Sequence, residues 1–275
     1  MNPTPLLILL PYHNGDYELA LNLVKWMAEL SPNYRPHSIL CVADNAVPME
    51  KVQELQSITK LLFNYAKTML VPVPQPTPEK MVWKPNEMFL AGARQVKAHY
   101  RLPFLWLEPD CVPLTPTWLD DLAEEYSECP TQYMGAIIHQ EGQEGLPSDH
   151  LTGCSIYPNN AIDLIGKIDS IKNGSQAWDI GCAAQVVPRA MNTKSIHHYW
   201  GLKDMPPVFV EARKADDPKN FVTLSFIQPE AVLFHRCKDG SLMTVLRKKW
   251  RPEAEKVVAE PVEEEELPTG SLNVV

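Results

Sequence analysis

Residues 102–122 read LPFLWLEPDCVPLTPTWLDDL, and the fold is decided by how this stretch runs and stops. Phe104-Leu105-Trp106-Leu107 is a short run of large apolar side chains, the pattern of a strand buried on both faces. Glu108 and Asp110 follow on either side of Pro109, which lacks a backbone donor and fixes its own φ, so the strand cannot simply continue. Both acids therefore stand near a strand's carboxyl end, where open α/β sheets place their ligands. Thr115 and Pro116 predict an N-cap and a first helical position. Trp118, Leu119, Leu122, Ala123 and Tyr126 give the ensuing helix one apolar face. Acid-x-acid at a strand end suits a hard divalent cation, since Mg²⁺ or Mn²⁺ takes oxygen ligands and a diphosphate can complete the shell. The competing reading is a pair of acids that only solvates a strand-to-helix turn.

Upstream, Leu6 to Leu10 predicts a buried strand ended by Pro11. A loop follows, Tyr12-His13-Asn14-Gly15-Asp16, in which Asn14 or Asp16 can cap a helix bearing Leu19, Leu23, Trp26, Met27 and Leu30. Residues 38–43 predict a second strand ending in Asp44-Asn45, and strand-helix-strand in this order is a parallel βαβ unit. Residues 50–67 read as a helix with Val52, Leu55, Ile58, Leu62 and Tyr65 on one face. A proline-rich crossover with a short strand at Leu70–Val73 follows, then a helix opened by Lys84-Pro85-Asn86 and carrying Phe89, Leu90, Ala93 and Val96.

Downstream, Tyr133–Ile138 and Leu151–Pro158 predict strands, with a polar, glycine-containing loop between them that suits a lid or an acceptor loop. Ala161–Ile171 reads as one apolar helix. Trp178-Asp179 opens a further amphipathic segment, in which Asp179 either complements a helix dipole or does chemistry. Adjacent histidines rarely face one ion, so His197-His198-Tyr199-Trp200 reads as a loop or edge strand able to contact an acceptor. Ala231–Arg236 predicts a late strand, and residues 242–250 a closing helix with a basic end.

Composition bounds the rest. A 275-residue chain with 45% hydrophobic and 21% charged residues is long enough to bury a large core and describes an ordinary globular protein. The run Pro5–Pro11 is too short for a signal peptide and has no basic residue before it, and no stretch approaches the roughly 20 apolar residues of a membrane span. No membrane partner is expected. Six scattered cysteines favour a reducing cytoplasm over a disulfide framework or a zinc site. Most of the net charge of −9 belongs to residues 252–275, where seven glutamates face one lysine; this segment is expected to be a disordered acidic tail behind a single domain at 1–251.

With its apolar strand and capped helix, LWLEPDCVPL resembles the DxD-type segment of GT-A glycosyltransferases, in an E-P-D variant. The resemblance runs over roughly residues 5–250. It implies a GT-A (Rossmann-like) α/β fold, a mixed and mostly parallel sheet flanked by helices. It also implies a nucleoside diphosphate sugar as donor and Mn²⁺ or Mg²⁺ as cofactor. The implied roles fall on Glu108, Asp110 and His235 as metal ligands, and on Tyr12 with its loop and Asp44 at the base and ribose. Asn86, with Arg94 behind it, falls to the donor, Lys238 to the diphosphate, and Asp179 to the proton of the attacking hydroxyl. Each has a plainer alternative: Asp44 as a polar loop opener, Asn86 as an N-cap, His235 as a structural strand-end residue. Glutamate in place of the first DxD acid leaves open whether Glu108 meets metal directly or through water.

E-P-D and the Cys237-Lys238-Asp239-Gly240-Ser241 stretch also resemble glycosyltransferases of tailed bacteriophages. That implies a hydroxymethyl-pyrimidine of DNA as acceptor and the host cytoplasm as setting. DNA would be met by Arg236, Lys238 and the Arg247–Arg251 cluster, with Trp200 or Trp250 for stacking. Two rivals stand beside this reading. A sugar-phosphate nucleotidyltransferase shares the sheet and the acidic site but normally shows a Gly-rich basic loop after the first strand, which Pro11–Gly15 is not. A non-catalytic GT-A-like binding domain is the other.

Overall fold

The computed structural model describes residues 3–74, 84–139, 149–199 and 205–250. The first half alternates strand and helix: β1 (Leu7–Tyr12), α1 (Tyr17–Leu30), β2 (Ser38–Asp44), α2 (Met49–Leu62), β3 (Tyr65–Val71), α3 (Lys84–His99) and β4 (Phe104–Trp106). After β4 come β5 (Cys111–Pro113), α4 (Trp118–Glu128), β6 (Tyr133–His139) and β7 (Asp149–Tyr157). Four single-turn helices follow, α5 (Ile162–Ile165), α6 (Asp169–Lys172), α7 (Trp178–Gly181) and α8 (Ala183–Val186). The chain then forms β8 (Ala190–Asn192), β9 (Ile196–His198), β10 (Val208–Phe209), β11 (Phe221–Val222), β12 (Leu233–His235) and α9 (Ser241–Trp250).

The main sheet has the order β3-β2-β1-β4-β7-β6-β8. Pairings from β3 through β4 are parallel, β7 is antiparallel to both its neighbours, and β8 is parallel to β6. The sheet is therefore mixed and mostly parallel, as expected from the alternating strand and helix patterns. Successive residues of β1 face opposite layers. Ile8, Leu10 and Tyr12 join a core with α1, α2, α4 and α9, while Leu7 and Leu9 join a second core with α3, Trp106, Tyr157 and Trp178. A strand buried on both faces has no polar side to alternate, which is why it reads as a continuous apolar run.

The chain runs from β1 outward through β2 to β3, then returns to place β4 on the other side of β1. The crevice between the carboxyl ends of β1 and β4 is thus a topological switch point, the place where such sheets take ligands. A second small sheet, β5-β12-β9, closes over that end, with β5 antiparallel to β12 and β9 parallel to it.

Several sequence expectations are corrected. Pro11 does not end β1: Leu9 O accepts from Leu107 N, so odd-numbered residues of β1 turn their backbone groups towards β4, whose pairing stops at Leu9. The donor missing at Pro11 therefore has no ladder to break. The second helix stops at Leu62, because Phe63 turns extended and Tyr65 starts β3 opposite Ser38. β3 accordingly covers Tyr65–Val71 and not Leu70–Val73. The helix expected at 161–171 is two single turns, α5 and α6, interrupted around Gly166, whose amide donates to Ile162 O. α4 starts at Trp118 with Thr117 at its N-cap, two residues beyond the expected Thr115.

No described helix is long and apolar enough to cross a membrane. The expected lid over residues 140–148, Trp200, Arg251 and the acidic tail at 252–275 lie outside the described residues.

Candidate active site

Glu108 and Asp110 leave the end of β4 on a turn closed by Cys111 N donating to Glu108 O at 3.0 Å. Pairing of β5 with β12 sets Cys111 opposite His235, so a histidine from the last strand arrives beside acids from the middle of the chain. His235 Nε2 lies 2.9 Å from Glu108 Oε2 and 3.3 Å from Asp110 Oδ1. Beyond His235 the chain doubles back at Arg236, whose φ of 84° is a left-handed conformation that a bulky side chain adopts only under constraint. That turn delivers Cys237 N to Asp110 O at 2.9 Å and locks the two segments together. Behind Glu108 stands Gly153 of β7, where a Cβ would lie 2.2 Å from Glu108 Oε1.

The electrostatics follow from burial and neighbours. Burial opposes the charged form of Asp110, but His235, with Lys238 and Arg236 beyond it, outweighs burial and holds the carboxyl below its ordinary range. Burial likewise opposes a charged His235, and Glu108 and Asp110 overcome it, so the imidazole is held protonated well above its usual value. At the half-buried Asp179 burial, then the charge of Glu108, pushes the carboxyl up to about 6.

The donor set fits a divalent ion. Ligands bound at about 2.1 Å in an octahedral shell stand roughly 3 Å apart, which is how far His235 Nε2 stands from a carboxylate oxygen of Glu108 and of Asp110. Asp110 Oδ1 is buried and makes no hydrogen bond among the described residues. Two carboxylates with one imidazole suit Mn²⁺ or Mg²⁺, the nitrogen favouring Mn²⁺. Among the described residues the side chains whose ligand atoms all lie within 4.8 Å of one another are Asp110, Cys111 and His235, with Glu108 reaching the group through His235. Burial holds the Cys111 thiol protonated and its Sγ meets Cys154 Sγ at 3.3 Å, so it offers no thiolate.

A cleft of about 320 Å³ opens from these ligands at the switch point. Its β1 side is Pro11, Tyr12, His13, Asp16 and Leu19, its far wall is Pro85, Met88 and Trp106, and Lys238 lies at its rim beside Glu108, Pro109 and Asp110. Tyr12 is 1% exposed and its hydroxyl has no hydrogen-bond partner among the described residues. Tyr12, Lys238, Glu108 and Asp110 thus line one cleft, with His235 at its acids.

Other predicted residues have different occupations. Asp44 is buried outside the cleft lining, where Oδ1 accepts from Ala46 N at 2.9 Å and Oδ2 meets Lys84 Nζ at 3.4 Å. Asn86 is turned inward, donating to Ile171 O and Gln176 O and accepting from Trp178 N at 2.8 Å. Its amide holds the segment that carries Asp179 instead of facing the cleft. Arg94 lines a separate hollow with Lys97 and Lys167. In the basic cluster expected to meet DNA, Arg247 is bidentate to Glu29 and lies over Trp26, Lys248 pairs with Glu211, and Trp250 stacks on Trp26. Arg247, Lys248 and Trp250 thus fasten α9 to the body.

Sequence reasoning gave no site role to Gly153, named Asp16 only within the loop after β1, and offered His198 only as part of a segment able to contact an acceptor. Asp16 was legible only as a cap; in the structure its Oδ1 accepts from His13 N at 2.6 Å and its carboxyl is pushed up, chiefly by burial. His198 Nδ1 lies 2.9 Å from His235 Nδ1, and burial, helped by the charges of His235 and Arg236, pushes it down to about 2.

No family model matches the chain, and no curated protein matches it. Solved structures resemble it at low identity. The bifunctional glycosyltransferase WbbM in its apo form is 8% identical, with a TM-score of 0.49 over 86% of this chain and 46% of its own. This chain therefore spans a little under half of that protein. The galactosyltransferase LgtC, in complex with donor and acceptor sugar analogs, is 12% identical, with a TM-score of 0.48 over 90% of this chain and 99% of its own. A putative glucose-1-phosphate thymidylyltransferase from Bacillus anthracis, in complex with a sucrose, is 9% identical, with a TM-score of 0.44 over 68% of this chain and 86% of its own.

Proposed function

We propose that the chain is a metal-dependent GT-A glycosyltransferase that moves a sugar from a nucleoside diphosphate sugar to an acceptor hydroxyl. The observation that carries this reading is the meeting of Glu108, Asp110 and His235 at the switch point, in the same cleft as Tyr12 and Lys238. Glu108, Asp110 and His235 would hold the ion. Bound there, Mn²⁺ or Mg²⁺ supplies charge neutralisation for the departing nucleoside diphosphate.

The remaining steps belong to the chain's own side chains. Lys238 brings a mobile ammonium to the diphosphate oxygens at the rim. The buried ring of Tyr12, with Leu19 and Met88, gives the cleft an apolar wall against which a base can lie. Asp179, raised to about 6, is poised to accept a proton from the acceptor hydroxyl near neutral pH. Six free cysteines support a reducing, cytoplasmic setting.

A panel of nucleotide sugars, incubated with Mn²⁺, Mg²⁺ or chelator, tests the reading. Metal-dependent release of nucleoside diphosphate is expected. Release of pyrophosphate from a nucleoside triphosphate and a sugar 1-phosphate would replace it with nucleotidyl transfer, and inertness towards both would leave a binding domain. For the acceptor, we carry forward a hydroxymethyl-pyrimidine of DNA, approached through Arg236 and Lys238 now that α9 is fastened down. Labelled donor offered with such DNA, unmodified DNA, small sugars and lipids decides it. Label entering only sugars or lipids rejects the DNA acceptor and leaves the transferase reading intact.

A further inference from the structure

Directly behind the ion ligands lies a contact that the reaction as described does not use. β9 and β12 run parallel with His198 opposite His235. The two rings meet edge to face, with centroids 4.7 Å apart, and their Nδ1 atoms are 2.9 Å apart. Two ring nitrogens at that distance share one hydrogen, so one must donate and the other accept.

The far side of His235 settles which. Its Nε2 faces Glu108 Oε2 at 2.9 Å and Asp110 Oδ1 at 3.3 Å. A neutral histidine whose Nε2 lone pair binds a cation keeps its proton on Nδ1. With the ion in place, Nδ1 of His235 is therefore the donor and Nδ1 of His198 the acceptor. Metal-bound histidines usually give this second N–H to a carboxylate, a backbone carbonyl or a water, and the partner fixes ring tautomer and orientation. A neutral imidazole does the same without adding a third negative charge behind Glu108 and Asp110.

We propose that His198 is a positioning residue that fixes the tautomer and orientation of His235, and thereby sets how tightly this site holds a divalent cation. The inference rests on the ion site of the preceding section, and its test separates the two. Mn²⁺ alone is titrated into the full chain and its His198→Phe, His198→Asn and His235→Ala variants, with free ion followed by electron paramagnetic resonance and folding checked by thermal melts. His198→Phe, which keeps a ring and loses the acceptor, is expected to bind Mn²⁺ about 10- to 100-fold more weakly. His198→Asn, whose Oδ1 stands in for Nδ1, should recover most of that loss. Parent-like affinity in a folded His198→Phe chain, with His235→Ala weakened, overturns the role of His198 alone. Equal affinity in the parent and His235→Ala overturns the ion site and this inference with it. Nitrogen-15 spectra of the unsubstituted chain with Mg²⁺ need no variant to fold: the proton is expected on Nδ1 of His235 and on Nε2 of His198. A proton found on Nδ1 of His198 overturns the proposal.

Discussion

Gly153 makes the room that the Glu108 carboxylate occupies: a Cβ at residue 153 would stand 2.2 Å from Glu108 Oε1 and 3.5 Å from the Trp178 ring. The clashing atom is the far end of a flexible side chain, so Gly153→Ala can be relieved by swinging Glu108 aside. The expected outcome is a small stability change, about 1 kcal/mol or less, with a large loss of Mn²⁺ affinity. Melts and a metal titration on the same sample check it; parent-like binding would show that Glu108 is dispensable to the ion.

Asp110→Asn keeps the shape of the more buried of the two carboxylates and removes its charge. Loss of that charge where a diphosphate must be neutralised is expected to cost several kcal/mol of transition-state stabilisation. Donor hydrolysis should fall by at least about a thousandfold, which corresponds to roughly 4 kcal/mol. Near-normal turnover in a folded Asp110→Asn chain would remove the acids from the mechanism.

Asp179 makes opposite demands on stability and on rate. Its folded value, raised to about 6, means that the fold favours the neutral acid. Below its unfolded value, near 4, it is protonated in both states and has no cost; as pH rises through 6 the folded chain must ionise it beside Glu108, and stability is lost. Asp179→Asn, permanently neutral, should melt with the parent near pH 4 and be more stable by about 1–2 kcal/mol at pH 8. Sugar transfer, which needs the carboxylate as base, should rise through pH 6 in the parent and drop about 10²- to 10⁴-fold in the variant.

Adding metal should stabilise the chain, by about 2.7 kcal/mol at a free ion concentration 100 times the dissociation constant. Since His235 is held protonated well above its usual value, a ligating imidazole must first give up a proton. Mn²⁺ affinity should therefore tighten as pH rises. Calorimetry in buffers of different ionisation heat reads the released proton directly, and a pH-independent affinity would argue against His235 as a ligand.

Arg247 lies across Trp26 while pairing with both oxygens of Glu29. Because its stem and guanidinium cover an aromatic surface, Arg247→Ala should lower stability by about 1 kcal/mol through lost packing as well as lost charge. Donor hydrolysis by the variant should be unchanged. A selective loss of DNA binding without destabilisation would restore the residue to an acceptor surface.

The parts of this fold that were legible in sequence are those that local chemistry dictates. Strands buried on both faces announce themselves as apolar runs, and Pro109 between two acids marks where one must stop. Glu108, Asp110 and His235 could be named by type and order because metal chemistry restricts the residues that do it. What stayed hidden depends on partners distant in the chain. Tyr65 fits a helical face as well as a strand, and only Tyr100, bonded hydroxyl to hydroxyl at 2.9 Å, and the neighbouring β2 decide between them. Gly153 means nothing until Glu108 is beside it, and Asn86 looks like a cap until the segment at 171–178 folds onto it. The basic run at 247–251 looked free because Glu29 and Trp26 lie more than 200 positions away.

Glu108 and His235 are separated by 127 residues along the chain. Closing a loop of that length costs entropy that only contacts formed late can recover, which makes this a slow, high-contact-order junction. Until β12 docks on β5, two acids crowd one turn without the cation that neutralises them. A growing polypeptide, or one broken before residue 235, would carry the acids but lack their imidazole partner. Ion binding would then arrive late in folding, and the competence of this centre would report that its carboxyl-terminal strand has been built.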